Sequence, residues 1–159
     1  MSFNAAGEYE GVRVFGGGSA FKFEMIQNAK NIPVISVDAA LKSGRSYDWE
    51  QKVTVQITPD EQPALLCFLL GITPAFQVEY HGPARDKSLQ IVNQPDRGSL
   101  YCKMWKKGVP IGIEMSAVDS FKLGALALKV LSLQTKMDAP TCLAVLRGTA
   151  GRLLSQKAN

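Results

Sequence analysis

The chain contains the same pattern twice, and this repeat limits its fold more than any other feature. In each half, short strand-like segments precede an apolar helix that has a hydroxyl residue at its N-cap. Thr58 and Ser116 occupy the two N-caps, and an acid follows three positions later in each case, Glu61 and Asp119. This spacing predicts a capping box, in which both side chains accept hydrogen bonds from amides that the helix leaves free. The sequence therefore predicts two units of similar structure.

Alternating apolar and polar residues between turn residues locate the strands of each unit. In the first unit, about 9–71, we predict strands over 9–14, 20–27, 33–39 and 52–57, a loop over 44–50 and a helix over 59–70. In the second unit, about 75–138, we predict strands over 76–81, 88–93, 100–106 and 109–115 and a helix over 117–137. The predicted fold class is α+β, with two packed four-stranded antiparallel sheets and helices in a duplicated ββββα arrangement.

Composition places the chain among ordinary globular proteins, with 46% hydrophobic and 20% charged residues in a length of 159. We expect one domain over residues 1–139 and a basic tail over 140–159, which is either a weak short helix or a frayed arm. No apolar stretch is long enough to cross a bilayer, and the N-terminus lacks the pattern of a signal peptide. We therefore expect a cytoplasmic protein without a membrane partner, associated with the nucleoid if it is bacterial.

Residues that suggest catalysis or metal binding are few. The three cysteines, Cys67, Cys102 and Cys142, are an odd number without Cys-x-x-Cys spacing, so we expect them to fill core space. The one histidine, His81, suggests a nucleophile pair only if Cys102 or Cys67 lies beside it in space. The glycine triplet at 16–18 lacks the lysine and the following helix of a phosphate-binding loop. We predict a protein that is not an enzyme and holds no metal or other cofactor.

Basic residues are concentrated in the second half of the chain. Six basic and nine acidic residues precede Gly82, whereas twelve basic and five acidic residues lie from Gly82 onward. Such a surface attracts polyanions, although many soluble proteins are equally basic and carry only a solvated surface. Charge alone leaves both interpretations open.

One predicted strand in the basic half combines aromatic rings with cations. Tyr101, Lys103 and Trp105 alternate onto one face of this strand, and Lys106 and Lys107 follow directly. Bases of any identity stack on such rings while lysines bind phosphates. The alternative is that the rings pack under a helix and the lysines are merely solvated.

The second predicted helix is apolar over most of its surface. Its lysines repeat every seven residues and form one narrow charged stripe: Lys122, Lys129 and Lys136. The helix has more apolar surface than the two sheets of one protomer can cover. Leu126, Val130 and Leu133 contribute to this surface. We therefore expect this helix to contact another subunit.

The segment 44–52, Gly-Arg-Ser-Tyr-Asp-Trp-Glu-Gln-Lys, precedes an alternating strand and a capped helix and resembles the Tyr-Asp-Trp segment of the Whirly family. The order of elements from Tyr9 to Met137 is also similar to the Whirly core. The family's first-hairpin motif, Lys-Gly-Lys-Ala-Ala-Leu-Ser, falls here on 16–22, where only Gly17 and Ala20 match. Both motif lysines are therefore missing, and Lys22 is the nearest cation.

The resemblance implies the fold, the ligand and the assembly of the protein. Whirly proteins and their relatives, the positive-cofactor single-strand binders and the mitochondrial guide-RNA-binding proteins, bind nucleic acid. The resemblance implies helices that mediate a homotetramer, and single-stranded DNA that lies along sheet edges between protomers. Together with strand alternation, it indicates ten nucleic-acid-binding residues: Arg13, Phe21, Lys22, Tyr47, Trp49, Lys52, Tyr101, Lys103, Trp105 and Lys106.

Several of these assignments have alternatives. Tyr47 and Trp49 are equally suited to lock the loop before the last strand of the first sheet. Arg13, Lys22 and Lys52 are outward cations for which a plain solvated face is an alternative role. Phe21 points to the opposite face from Lys22, so the two cannot share one surface.

The predicted function is sequence-tolerant binding of single-stranded DNA by a homo-oligomer, in transcription, replication, repair or DNA transfer. RNA is the alternative ligand for the same fold. A structural or partner-docking oligomer, on which the basic face is incidental, is the alternative from a different class.

Overall fold

The first sheet forms from the segments in which apolar and polar residues alternate. The structure is a computed structural model that describes the backbone of residues 11–158 and the side chains of 11–153, so the predicted strand residues 9 and 10 lie outside the described part. The strands are β1 (Gly11–Phe15), β2 (Ser19–Gln27), β3 (Pro33–Ser43), β4 (Ser46–Tyr47) and β5 (Val53–Ile57). Four long strands pair antiparallel in the order β1-β2-β3-β5, and the two-residue β4 pairs with the end of β3.

The second sheet is a meander of four antiparallel strands in chain order. Its strands are β6 (Ala75–His81), β7 (Lys87–Gln94), β8 (Ser99–Lys106) and β9 (Val109–Met115). Each strand follows its predicted range within a residue, which confirms the alternation-based assignment. The duplicated ββββα arrangement predicted from the sequence is therefore confirmed.

Two helices close the two units, α1 (Gln62–Leu69) and α2 (Ala117–Thr135). The predicted reciprocal hydrogen bonds form at both N-terminal ends, between Thr58 and Glu61 and between Ser116 and Asp119. Residues 59–61 form a turn rather than the first turn of α1, so this helix begins three residues later than predicted and its N-cap is Glu61 rather than Thr58. It ends at Leu69, one residue before the predicted end, and the predicted stop Gly71 has a φ of 79°, which allows the hydrogen bonds from the Gly71 and Ile72 amides to helix carbonyls that terminate the helix.

A third helix, α3 (Ala139–Ala158), forms where the sequence left a weak short helix and a frayed arm as alternatives, and it is longer than expected. Asp138 accepts a hydrogen bond of 2.8 Å from the Thr141 amide, and its pKa is lowered by a hydrogen bond from the Thr141 hydroxyl and, to a smaller extent, by the one from this amide. Pro140 lies in the first helical turn, where its missing amide hydrogen costs nothing. Because Cys142 and Leu146 are buried against the other helices, this segment is a packed helix and not a frayed arm.

The predicted loop over 44–50 is more ordered than expected. It contains β4 and a single turn of 3₁₀ helix, Trp49–Gln51. The Tyr47 hydroxyl donates a hydrogen bond of 2.6 Å to the Gly16 carbonyl, and the ring centroid of Tyr47 lies 5.6 Å from that of Phe15. Tyr47 therefore fastens this segment to the turn between β1 and β2.

The inner faces of both sheets and all three helices share one apolar core. Phe21 and Phe23 have no exposed surface, and their ring centroids lie 6.3 Å apart. Leu89 and Met104 of the second sheet and Leu123 of α2 are equally buried in the same cluster. The three cysteines lie in it as free thiols, as predicted. No helix within the described residues is long and apolar enough to span a membrane.

Polar contacts also join the two units around this core. Each links a residue of the first unit to one of the second: Ser19 Oγ to the Gly112 carbonyl at 2.6 Å, Lys87 Nζ to the Thr54 carbonyl at 3.2 Å, His81 Nε2 to Glu61 Oε2 at 2.9 Å, and Gln62 Nε2 to the Ala127 carbonyl at 3.0 Å. The two units are therefore fixed to each other by side chains as well as by apolar packing.

Candidate nucleic-acid interface

Three side chains on β8 form an aromatic and cationic surface, which we call the β8 platform: Tyr101, Lys103 and Trp105. All three are half-buried and lie on the outer face of the second sheet, while Cys102 and Met104 point into the core. The Lys103 ammonium nitrogen lies 5.8 Å from the centroid of the Tyr101 ring and 5.5 Å from that of Trp105. One cation thus lies within reach of two aromatic rings, as the alternation predicts.

Glycine 112 gives the Tyr101 ring its place on the sheet. Gly112 lies on β9, directly opposite Lys103. A Cβ atom at Gly112 would overlap the Tyr101 hydroxyl and lie 2.9 Å from its ring carbon Cζ. The ring therefore rests over a position without a side chain, which sequence alternation could not reveal.

The Tyr101 end of the platform carries an ion pair. The Arg97 guanidinium donates two hydrogen bonds to the Glu114 carboxylate, at 3.2 and 2.9 Å, and Glu114 lies directly opposite Tyr101. The hydrogen bond from Arg97 lowers the pKa of Glu114, and a weaker one from Ser99 adds to the effect. Both partners are exposed, so the pair shapes the local charge more than it stabilises the fold.

A second group of predicted residues gathers on the outer face of the first sheet, and we call it the first-sheet cluster: Arg13, Lys22, Trp49 and Lys52. Arg13 and Lys22 are direct neighbours on β1 and β2. The Lys22 ammonium lies 4.0 Å from the Trp49 ring centroid, a close cation–π contact. Trp49 therefore has both a structural contact and a half-exposed ring.

A buried acid organises the cations of this cluster. Asp38 is 5% exposed and lies opposite Lys22 on the neighbouring strand. Its carboxylate accepts hydrogen bonds from Thr54 Oγ1 at 2.6 Å and from Lys52 Nζ at 3.4 Å. Lys52 remains half-exposed, so its ammonium is held in place near the surface.

The structure corrects the assignment of Phe21. Its side chain is fully buried between the sheets and cannot receive a base from solvent. The sequence analysis placed Phe21 on the opposite face from Lys22, and the structure shows that the Phe21 face is the inner one. Lys106 lies exposed at the end of β8, beyond Trp105. Apart from Phe21, Lys106 and Tyr47, every predicted binding residue belongs to the β8 platform or to the first-sheet cluster.

Sequence reasoning missed two exposed residues at the hairpin between β6 and β7. Alternation with Phe76 and Val78 assigns Tyr80 to the inner face, yet its side chain is 67% exposed. The pairing of β6 with β7 shifts between Val78 and His81, and Tyr80 takes a φ of 60°. This bulge turns the ring outward, where the Arg85 guanidinium lies 5.9 Å from its centroid.

The residues considered for catalysis have other partners. His81 Nε2 is bonded to the Glu61 carboxylate. Cys102 is fully buried, and desolvation strongly raises the pKa of its thiol, which keeps the sulfur protonated. Within the described residues, no cluster of three or more histidine, cysteine or acidic side chains is placed to hold a metal ion.

The helices carry exposed apolar side chains. The residues of α2 named as a subunit contact divide into two groups, because Leu126 and Val130 are buried in the protomer whereas Leu133 is 46% exposed. Phe121, 76% exposed, lies beside an apolar groove between α1 and α2 that Leu70 and Leu128 also line.

Fold and surface together define an α+β protein of two ββββα units with an aromatic, cationic outer face on each sheet. No protein-family model and no curated protein sequence matches the chain. Among solved structures, it is similar to a chain of the Trypanosoma brucei MRP1/MRP2 crystal structures, with a TM-score of 0.59 and 14% identity over 79% of this chain and 84% of that one. At this identity the likeness shows a shared fold.

Proposed function

We propose that this protein is a Whirly-like, non-enzymatic and sequence-tolerant binder of single-stranded DNA that acts as a homotetramer. The observation that carries the proposal is the β8 platform, where Lys103 lies between the rings of Tyr101 and Trp105. Its cellular setting is a process that exposes single strands, namely transcription, replication, repair or DNA transfer.

The platform suits single strands because its rings are separated along one strand. Alternate residues of a strand are about 6.6 Å apart. Because Lys103 Nζ lies 5.8 Å from the Tyr101 ring centroid and 5.5 Å from that of Trp105, the two rings are at most about 11 Å apart, with the cation between them. Unpaired bases can stack on both rings, whereas the faces of paired bases are already covered inside a duplex. Stacking on aromatic rings tolerates any base and contributes about 1–3 kcal/mol per base.

Cations around the rings supply the phosphate contacts in this proposal. Lys103 and Lys106 lie on and beside the platform, and Arg13, Lys22 and Lys52 lie on the outer face of the first sheet. Asp38 holds Lys52 in place, which reduces the entropy that the lysine would lose on binding. Tyr47, whose hydroxyl is bonded to Gly16, keeps a structural role and is not assigned to the ligand.

Helix α2 provides the assembly surface of the proposal. Phe121 and Leu133 are exposed apolar residues on one helix, and the groove beside Phe121 continues onto α1. The Whirly resemblance implies that the helices contact a second copy of the chain. Exposed apolar patches of this kind are typical of subunit contacts.

Fluorescence anisotropy tests the proposed ligand. Labelled single-stranded DNA, matched duplex and matched RNA are titrated across a salt series. We expect tight binding to single-stranded DNA and weak binding to duplex, with log affinity falling against log salt by about 0.7 for each phosphate contacted. Stronger binding to RNA than to DNA would identify RNA as the ligand. Equally weak binding to all three would contradict the proposal.

Trp105→Ala tests the platform itself. We expect a loss of about 1–3 kcal/mol in affinity for single strands, because one stacking ring is removed. Lys122→Ala is the matched control, since it removes an exposed side chain on α2, away from either outer sheet face. Unchanged affinity in Trp105→Ala would show that the second sheet is not the binding surface.

A further inference from the structure

A small open pocket of about 240 Å³ lies at the hairpin between β6 and β7. Tyr80, Arg85 and Ser88 line it, together with Lys87 and two acids, Glu79 and Asp86. The Arg85 guanidinium lies 5.9 Å from the Tyr80 ring centroid, the same combination of cation and ring as on the β8 platform. The pocket therefore has one surface for a base and one cation for a phosphate.

The pocket adjoins the Trp105 end of the platform. Ser88, which lines the pocket, is the direct cross-strand neighbour of Trp105 on the outer face of the second sheet. Directly paired residues in an antiparallel sheet have Cβ atoms about 4.5–5.5 Å apart. When a single-stranded nucleic acid stacks one base on Trp105, its next nucleotide is therefore within reach of the pocket.

The backbone is strained to expose the Tyr80 ring. A bulky residue rarely takes a positive φ, and both Tyr80 and Arg85 do so, with φ of 60° and 54°. Strand alternation would have buried the Tyr80 ring, but the bulge turns it outward. The side chain is 67% exposed there. Strain of this kind is concentrated at binding sites, where it holds a side chain in a productive position.

We infer that the β6–β7 hairpin is a nucleotide pocket that takes the residue next to the base stacked on Trp105, with the base on Tyr80 and its phosphate at Arg85. The inference rests on the proposed function, because it extends the β8 platform by one position. The two acids are hydrogen-bond acceptors; Glu79 Oε1 already accepts a bond of 2.7 Å from Gln77, which leaves its other oxygen and Asp86 to match the exocyclic amino groups of cytosine and adenine and to repel the carbonyl oxygens of thymine. The platform tolerates any base, whereas the pocket favours cytosine or adenine.

The test measures the affinity of oligo(dC) and oligo(dT) for the full chain and four variants. We expect the wild type to bind oligo(dC) more tightly. Tyr80→Gly should lower the affinity for oligo(dC) by about 5- to 150-fold, the loss of one stacked base, and should reduce the preference over oligo(dT). Tyr80→Phe keeps the ring and should bind as the wild type does, whereas Arg85→Ala should weaken both ligands alike and reduce the salt dependence.

Thermal unfolding separates a binding role for Tyr80 from a structural one. Glycine accepts a positive φ without steric cost, so Tyr80→Gly should not lower Tm although it weakens binding. A structural residue would show the reverse, a lower Tm with unchanged affinity.

Trp105→Ala makes the two failures distinguishable. If Trp105→Ala weakens binding while Tyr80→Gly and Arg85→Ala bind as the wild type does, the pocket is wrong and the platform stands. If only the hairpin variants weaken binding, the platform is wrong and the pocket is not an extension of it. A wild type that binds neither oligonucleotide would overturn both proposals.

Discussion

At the scale of single residues, the candidate site depends on which side of the sheet each side chain faces. Alternation predicted that Tyr101 and Trp105 share a face, because strand geometry alone decides this. It also placed Phe21 on the face opposite Lys22, and because that face is the inner one, the assignment of Phe21 to the ligand is wrong. It also failed for Tyr80, because a bulge breaks the period of two and leaves no signal in the residue pattern.

Gly112→Ala tests whether the Tyr101 ring belongs to the binding surface. The added Cβ would overlap the Tyr101 hydroxyl, so the ring must leave its place over β9. We expect affinity for single-stranded DNA to fall by about 1–3 kcal/mol, measured by anisotropy. Gly17→Ala is the control, because no atom lies within 4 Å of its added Cβ. A loss that persists in a Tyr101→Ala background would show that the ring is not the cause.

At the scale of elements, capping residues and glycine stops were reliable signals. The reciprocal hydrogen bonds at Thr58 and Ser116 both form, since they depend on residues only three positions apart, but only Ser116 is the N-cap of its helix, because Thr58 precedes a turn and Glu61 is the N-cap of α1. The third helix was underestimated, although Asp138 and Pro140 are an N-cap and a first-turn residue that mark its start. Gly148 and Gly151 inside it lower its intrinsic helix propensity, and the burial of Cys142 and Leu146 that offsets this cannot be read from the local sequence.

Leu146→Ala tests whether α3 is an integral part of the fold. Leu146 is 3% exposed, so its truncation should lower the free energy of unfolding by about 2–5 kcal/mol, measured by urea denaturation. The neighbouring Arg147 is exposed, and Arg147→Ala should change stability by less than about 0.5 kcal/mol. Equal small effects in both variants would indicate a detached tail.

At the scale of the whole molecule, the sequence predicted two units but not the contacts between them. Side chains such as Gln62 and Lys87 bond to backbone carbonyls of the other unit, and no local pattern predicts contacts so distant along the chain. The same limit applies to the helix surface. Leu126 and Val130 were expected at a subunit contact, yet the protomer buries both, and Phe121 is exposed instead.

Phe121→Glu tests the proposed assembly through the helices. If a second copy covers the apolar groove between α1 and α2, the Glu carboxylate would have to lose its hydration there, which costs free energy and opposes association. We therefore expect a lower mass in light scattering coupled to gel filtration. Val109→Glu adds the same charge at an apolar residue of β9 that is 61% exposed, and its mass should equal that of the wild type. An unchanged mass in Phe121→Glu would exclude this groove as the contact.

The single core shared by both units limits how the chain can be divided. A break in the backbone near Gly71 would separate two fragments of similar architecture, but each would expose the apolar face that the other now covers. Neither fragment should therefore be stable by itself, and the two should reassemble when mixed. Although the sequence shows two repeated units, only the two units together form a stable fold.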